Sequence, residues 1–194
     1  DIRVVVDAGR ARRARYDPGS GMARLVTERA TLAEARQRTG RAGRVAPGRC
    51  YRLWTKGEEG ALSPFPPPEI AAADLTGLAL ELALWGAADL PFLTPPPEGA
   101  LAAARRLLAD LGALDAAGRI TPEGRAMAAL PLHPRLAHML LQGGQAAAPL
   151  AALLADRDPL RGAPADIALR LAALKDGHRT EADRATLDRI RAEA

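Results

Sequence analysis

Gln37-Arg38-Thr39-Gly40-Arg41-Ala42-Gly43-Arg44 gathers three arginines and two glycines in eight residues. A guanidinium is a planar fork that pairs two oxygens at once and stays charged at any working pH. Two of them projecting toward one point therefore make a site for an anion, either a carboxylate or a phosphoryl group. The ordinary alternative for an arginine-rich stretch is a solvated surface or ion pairing within the fold.

The elements that must hold these side chains are legible on both sides. Thr31 followed by Glu34 has the spacing of a capping box and predicts a helix from Thr31 to about Thr39, stopped by Gly40. Arg36 and Gln37 would then lie on its last turn, with Arg41 and Arg44 beyond it, where glycines allow a sharp change of direction. Upstream, Val4-Val5-Val6 ending at Asp7 reads as a central parallel strand covered on both faces. Arg10–Tyr16 and Met22–Thr27 flank Asp17-Pro18-Gly19-Ser20-Gly21 and read as a β-hairpin. Its first strand alternates, placing Arg13 and Arg15 on one face and Arg10 and Arg12 on the other; neither face is apolar enough for burial, so the hairpin is expected to project into solvent or onto a ligand. Arg49 to Trp54 is a second strand beside Val4–Val6, with the Thr31 helix between them, which gives half of an α/β nucleotide-type domain. Residues 55–68 carry no periodicity and end in Ser63-Pro64-Phe65-Pro66-Pro67-Pro68, where a domain boundary is expected.

Charge follows the same division. Residues 1–56 hold fourteen Lys/Arg against five Asp/Glu, a net of +9, whereas residues 57–194 hold thirteen against eighteen, a net of −5. A basic front of this density suits a polyanion, nucleic acid or nucleotide. The 48% hydrophobic content and 3% aromatic content fit a helix-rich globular chain rather than a disordered one. Cys50 is the only cysteine, which excludes an intramolecular disulfide and fits a reducing compartment. No apolar run has membrane-spanning length and no signal-peptide pattern opens the chain, so a cytoplasmic protein without membrane contact is expected. Asp1 leads straight into a buried-strand pattern without Met, so the sequence is expected to be part of something longer.

Beyond the boundary the spacing turns helical. Leu75, Leu78, Leu82 and Trp85 form one stripe, with Gly86 as the stop. Thr94 and three prolines lead into a helix from Glu98 carrying Leu101, Leu108 and Leu111, ended by Gly112. Two short extended pieces within 113–121 and a helix opened by Thr121-Pro122-Glu123 complete a winged-helix arrangement. Helices near 135–142, 146–156, 164–175 and 180–193 read as the opening of a bundle. His133, His138 and His178 lack metal-ligand spacing, Ser20 and Ser63 lack the partners of a nucleophile, and Cys50 reads as a small apolar strand residue; no metal site is expected.

The stretch 37–44 resembles motif VI of superfamily 2 helicases, Gln-Arg-x-Gly-Arg-x-Gly-Arg, in the form found in DEAH-box RNA helicases. Val4-Val5-Val6-Asp7-Ala8-Gly9, Tyr16-Asp17-Pro18-Gly19-Ser20-Gly21-Met22, Pro47 to Leu53 and Leu130-Pro131-Leu132-His133-Pro134-Arg135-Leu136 resemble that family in the same order. Thr94 to Glu98 and Leu111 to Asp115 are similar to its winged helix, and Arg157 to Gly162 to its bacterial HrpB-type branch. The resemblance implies an α/β, RecA-like, P-loop NTPase type segment followed by mostly helical domains: residues 1–62 as the back of the second RecA-like domain, 63–131 as the winged helix, and 132–194 as the start of a ratchet-like bundle. It implies that Gln37, Arg41 and Arg44 face the phosphates of ATP, with Gln37 on the γ-phosphate or attacking water and Arg41 and Arg44 as arginine fingers, while Arg38 is structural. It implies RNA, or single-stranded DNA, as the partner of a hairpin carrying Arg10, Arg12, Arg13 and Arg15. The P-loop pattern and the Asp-Glu-x-His box do not occur in the sequence, so the first RecA-like domain and the Mg2+ ligands are expected on another part of the polypeptide, and this chain alone is expected not to hydrolyse ATP. Two other readings are a winged-helix module that binds duplex DNA, disfavoured because the Glu98–Asp110 segment has only Arg105 and Arg106, and a catalytically silent helicase-like scaffold.

Overall fold

A computed structural model describes residues 2–17, 21–87, 90–160, 162–176 and 184–193. The chain divides into two compact units, one of Asp1–Asp74 with Pro91–Ala100 and one of Leu75–Leu90 with Leu101–Ala194.

In the first unit β1 (Val4–Asp7) pairs in parallel with β4 (Arg49–Arg52), Val5 opposite Cys50 and Asp7 opposite Arg52. The connection carries the hairpin β2 (Arg10–Asp17) and β3 (Met22–Arg29), then α1 (Leu32–Arg41). Helix α1 packs on the face of the parallel pair that holds Val5, Asp7, Cys50 and Arg52. Small residues let it sit close: Ala30, Ala35 and Ala42 are all buried. Gly48 is required at this contact, since a Cβ there would lie 1.9 Å from the Ala42 carbonyl oxygen and 2.8 Å from that of Arg3. The expectation that β1 is covered on both faces is corrected. Val4 and Val6 are 57% and 63% exposed, beside Tyr51 at 52%, because α1 covers one face and no described residue covers the other.

The 55–68 segment, expected to be irregular, contains α2 (Lys56–Gly60), opened by a second capping box between Thr55 and Glu58. A 3-10 turn at Glu69–Ala71 follows.

The second unit is helical. Its described elements are α3 (Thr76–Trp85), α4 (Glu98–Asp110, within this unit from Leu101), α5 (Pro122–Ala128), α6 (Pro134–Gly143), α7 (Ala148–Ala155), α8 (Ile167–Asp176) and α9 (Arg184–Glu193). Gly86 and Gly112 end α3 and α4 in the left-handed region, as their positions indicate. Between α4 and α5 the two extended pieces meet at one antiparallel bridge, Leu114 to Ile120, around a turn held by Asp115, which accepts the N–H groups of Ala117 and Arg119. Thr121 caps α5 through the Gly124 N–H at 3.0 Å. Leu75, Leu82 and Leu108 are buried as their stripes require, but Trp85, at the exposed last turn of α3, is 68% accessible. Ala152, Leu153, Leu160, Ala173, Leu174, Leu187 and Ile190 form the core of the α7–α9 bundle. Buried Arg170 organises its long connection by pairing with Asp158 and donating to the carbonyls of Pro164 and Asp166.

Candidate functional site

Helix α1 is anchored firmly at its start. Thr31 Oγ1 accepts the Glu34 N–H, and Glu34 Oε2 accepts the Thr31 N–H at 2.7 Å and its hydroxyl at 2.8 Å. The next two donors of the first turn, which have no intrahelical partner, reach the carbonyls of Ser63 and Pro64 at 2.9 and 3.0 Å. The helix does not stop at Gly40. It runs through Arg41, and Ala42 closes it in right-handed geometry by donating to Gly40 and Thr39. Neither Gly40 nor Gly43 has a positive φ, and a Cβ on either would meet nothing within 4 Å. A sharp left-handed turn therefore does not explain them; what they leave is open space against the backbone of the arginine stretch.

The three arginines separate into different roles. Arg38 Nη1 lies 3.0 Å from Asp7 Oδ1 and 2.9 Å from the Arg10 carbonyl oxygen, and the Asp7 side chain is fully buried. Asp7 Oδ1 also accepts the Gly9 N–H at 2.9 Å. Arg38 is thus a strut between the helix, the end of β1 and the start of the hairpin, in keeping with the structural role expected of it. Gln37 and Arg41 lie four residues apart, on one helix face, and Arg44 follows just past the helix end. All three are exposed and, among the described residues, their side chains take part in no hydrogen bond or ion pair. Three unpaired polar side chains thus lie toward the C-terminal end of a helix that is fixed at its start.

The hairpin is regular, with Arg10 opposite Arg29 and Arg15 opposite Arg24; residues 18–20 of its expected turn lie outside the described residues. Its two arginine faces differ. Arg13 reaches Glu28 at 3.0 Å and Glu34 at 2.5 Å, and Arg15 grips Glu28 with two bonds of 2.7 and 3.0 Å. Hydrogen bonds from Arg15, then Arg13, hold the Glu28 carboxyl down at about 2. Partial burial pushes Glu34 upward, but bonds from the Thr31 backbone and hydroxyl and from Arg13 outweigh it, and its pKa falls below the usual range. Tyr16 donates its N–H to Ala72 at 3.1 Å. The hairpin therefore does not stand wholly free: the Arg13/Arg15 face turns inward and only the Arg10/Arg12 face is open, with Ala14 and Leu25 also exposed along it.

Two features were not anticipated from sequence. Arg29 pairs with Glu58 at 3.0 Å and Arg52 with Glu59 at 2.6 Å, so α2 receives arginines from β3 and β4. The Arg52 guanidinium also lies 5.7 Å from the centre of the Trp54 ring. The signal for α2 was the Thr55-x-x-Glu58 spacing, identical to that of Thr31 and Glu34. His133 accepts the Arg135 N–H at the start of α6, a boundary role, and His178 and Ser20 lie outside the described residues. Among the described residues no three His, Cys, Asp or Glu side chains gather where a metal ion could be held, and no helix is long and apolar enough to cross a membrane.

Comparison with known proteins adds four matches. Residues 104–132 match the winged-helix family described as Helicase associated domain (HA2). Among curated relatives, the ATP-dependent RNA helicase HrpB of Escherichia coli (strain K12) is 45% identical over 143 residues, covering 72% of this chain and 18% of that protein. The pre-mRNA-splicing factor ATP-dependent RNA helicase prp22 of Schizosaccharomyces pombe is 42% identical over 144 residues, covering 72% of this chain and 12% of that protein. A crystal structure of the Escherichia coli DEAH/RHA helicase HrpB superposes with a TM-score of 0.83 at 36% identity, over 98% of this chain and 24% of that one. The chain thus spans less than a fifth of the length of the curated relatives it matches.

Proposed function

The chain belongs to the DEAH-box RNA helicases of HrpB type, and from that premise we propose that it supplies the charge-stabilising side of an ATP-hydrolysing cleft together with part of the path for RNA. The observation that carries this reading is the separation within the 37–44 stretch: Arg38 is locked onto buried Asp7, while Gln37, Arg41 and Arg44 stand free at the end of an anchored helix. A helix fixed at one end and bearing unpaired guanidiniums at the other is preorganised to meet phosphate when a second domain brings it. Phosphoryl transfer develops charge on the transferring oxygens, and arginines placed against them act on the transition state. Gln37 orients the attacking water or the γ-phosphate, and Arg41 and Arg44 act as fingers that reach the nucleotide only on closure.

In this reading residues 1–62 are the back of the second RecA-like domain, 63–131 the winged helix and 132–194 the start of the ratchet-like bundle. The charge of the free guanidiniums fits the phosphates of ATP, and no side chain at Gly40 or Gly43 stands in their way. Mg2+ does not fit here, since the described residues gather no carboxylate or imidazole cluster, and its ligands belong with the ATP-binding half. Arg10 and Arg12 contact RNA phosphates without reading sequence, whereas Arg13 and Arg15 shape the hairpin.

The test is strand displacement by the protein that carries this segment with its ATP-binding half, on an RNA duplex with a single-stranded tail. ATP-dependent displacement supports the proposal. Binding of the duplex without displacement, at ATP concentrations that saturate the protein, overturns it in favour of a scaffold. The same assay on a DNA duplex separates RNA from DNA preference.

A further inference from the structure

Helix α1 touches both functional regions of its unit, and the way it does so assigns work to residues outside the site. Among the described residues, the hairpin β2–β3 is its own two-stranded sheet and shares no ladder with β1–β4. The contacts that orient it therefore include its chain ends, the Tyr16–Ala72 backbone bond, the Arg29–Glu58 pair to α2 and two side-chain struts from α1. Glu34 Oε2 holds Arg13 at 2.5 Å, and Arg38, one turn further on, holds the Arg10 carbonyl at 2.9 Å. Arg13 simultaneously holds Glu28 on the returning strand, so both strands are clamped. The Arg13 and Glu34 side chains are only 16% and 25% exposed, which sets this pair apart from a freely solvated one. The same helix ends in Gln37, Arg41 and Arg44.

We propose that Glu34, through Arg13, and Arg38, through the Arg10 carbonyl, are positioning residues that make the arginine tip of α1 and the hairpin move as one body. This rests on the nucleotide and RNA reading above and deepens it. When closure draws Arg41 and Arg44 onto phosphate, the displacement of α1 is delivered to the hairpin rather than absorbed between them, and RNA held on the Arg10/Arg12 face biases the helix in return. Such a link is reciprocal in free energy, with coupling of roughly five- to 150-fold typical for linked sites.

Glu34→Gln tests the coupling in the protein carrying the ATP-binding half. A glutamine oxygen still accepts the Thr31 N–H, so the cap of α1 is kept while the charged bond to Arg13 is lost. The expected result is at least a fivefold fall in the factor by which single-stranded RNA stimulates ATP turnover. RNA-free turnover and the affinity for RNA in the absence of nucleotide stay within twofold of wild type. Arg13→Gln, which leaves the Thr31–Glu34 cap untouched, lowers the stimulation factor likewise, and the double variant is no worse than the more affected single one. An unchanged stimulation factor in Glu34→Gln overturns the proposal. So does a parallel collapse of RNA-free turnover, which would make the contact a support for the arginine tip alone. A fivefold or larger rise in the dissociation constant for RNA measured without nucleotide also overturns it, assigning the contact to RNA binding itself. A wild-type protein whose turnover ignores RNA sinks the helicase reading itself, whereas an RNA-stimulated wild type with an indifferent Glu34→Gln sinks only the coupling.

Discussion

Replacing Arg38 by Ala separates its structural role from the chemistry assigned to its neighbours. The Asp7 side chain has no exposure, and its Oδ2 has no hydrogen-bond partner among the described residues, so Oδ1 carries both the Gly9 N–H and the Arg38 guanidinium. Without Arg38 a buried carboxylate keeps one backbone donor. Removing one member of a buried pair costs about 3–5 kcal/mol; because Arg38 is itself 34% exposed, the lower figure of about 3 kcal/mol applies. At 1.4 kcal/mol per decade, that is roughly a hundredfold shift in the local opening equilibrium. Hydrogen exchange read by mass spectrometry measures it at the amides of Gly9, bonded to Asp7 Oδ1, and Leu53, bonded to the Asp7 carbonyl. Both are expected to exchange roughly a hundredfold faster in Arg38→Ala. Asp7→Asn in the same background recovers part of the loss, since it removes the stranded charge, while Arg41→Ala leaves both amides as in wild type. The reasoning is refuted by exchange within threefold of wild type in Arg38→Ala, or by strictly additive effects of Arg38→Ala and Asp7→Asn.

Gly48→Ala places a Cβ against the Ala42 carbonyl and is expected to destabilise the first unit by more than the roughly 1 kcal/mol of an average substitution, measured by denaturant unfolding. The depressed Glu28 pKa gives the Arg13/Arg15 contacts a defined pH window. Their contribution is complete above the ordinary carboxylate value of 4.5 and is lost as pH falls from there toward 2, so a carboxyl-carbon NMR titration of Glu28 should show a midpoint near 2, and one near 4.5 contradicts the pairing. Thr121→Ala removes the cap of α5 and should cost about 1 kcal/mol in thermal unfolding. Arg10→Ala and Arg12→Ala should each flatten the dependence of log RNA affinity on log salt by about 0.7, the value for one single-strand phosphate contact, and an unchanged slope removes them from the RNA path.

Local chemistry was the legible part of this chain. Thr31 with Glu34, Thr121 with Pro122, and the glycines at 86 and 112 fix helix ends through bonds made within a few residues, and each has its expected partner or geometry. The parallel pairing of β1 with β4 was equally readable from two short strand patterns on either side of one helix. Helix α1 outran its expected stop because a glycine ends a helix only where the backbone goes left-handed, and Gly40 does not. What sequence could not sort was the arginines. Arg10, Arg12, Arg13 and Arg15 look alike in a strand, and only the placement of Glu28 and Glu34 shows that two of them are held within the fold. The exposure of Val4, Val6 and Trp85 was hidden for the same reason, since an apolar pattern indicates a face without naming what covers it.

The central claim is that Gln37, Arg41 and Arg44 serve phosphoryl transfer, and the most direct measurement is single-turnover ATP hydrolysis at saturating ATP and RNA, in the protein carrying both halves of the cleft. Arg41→Ala and Arg44→Ala are each expected to slow hydrolysis by about 10³-fold or more while unfolding behaviour stays that of wild type. Rates within twofold of wild type in both variants contradict the account.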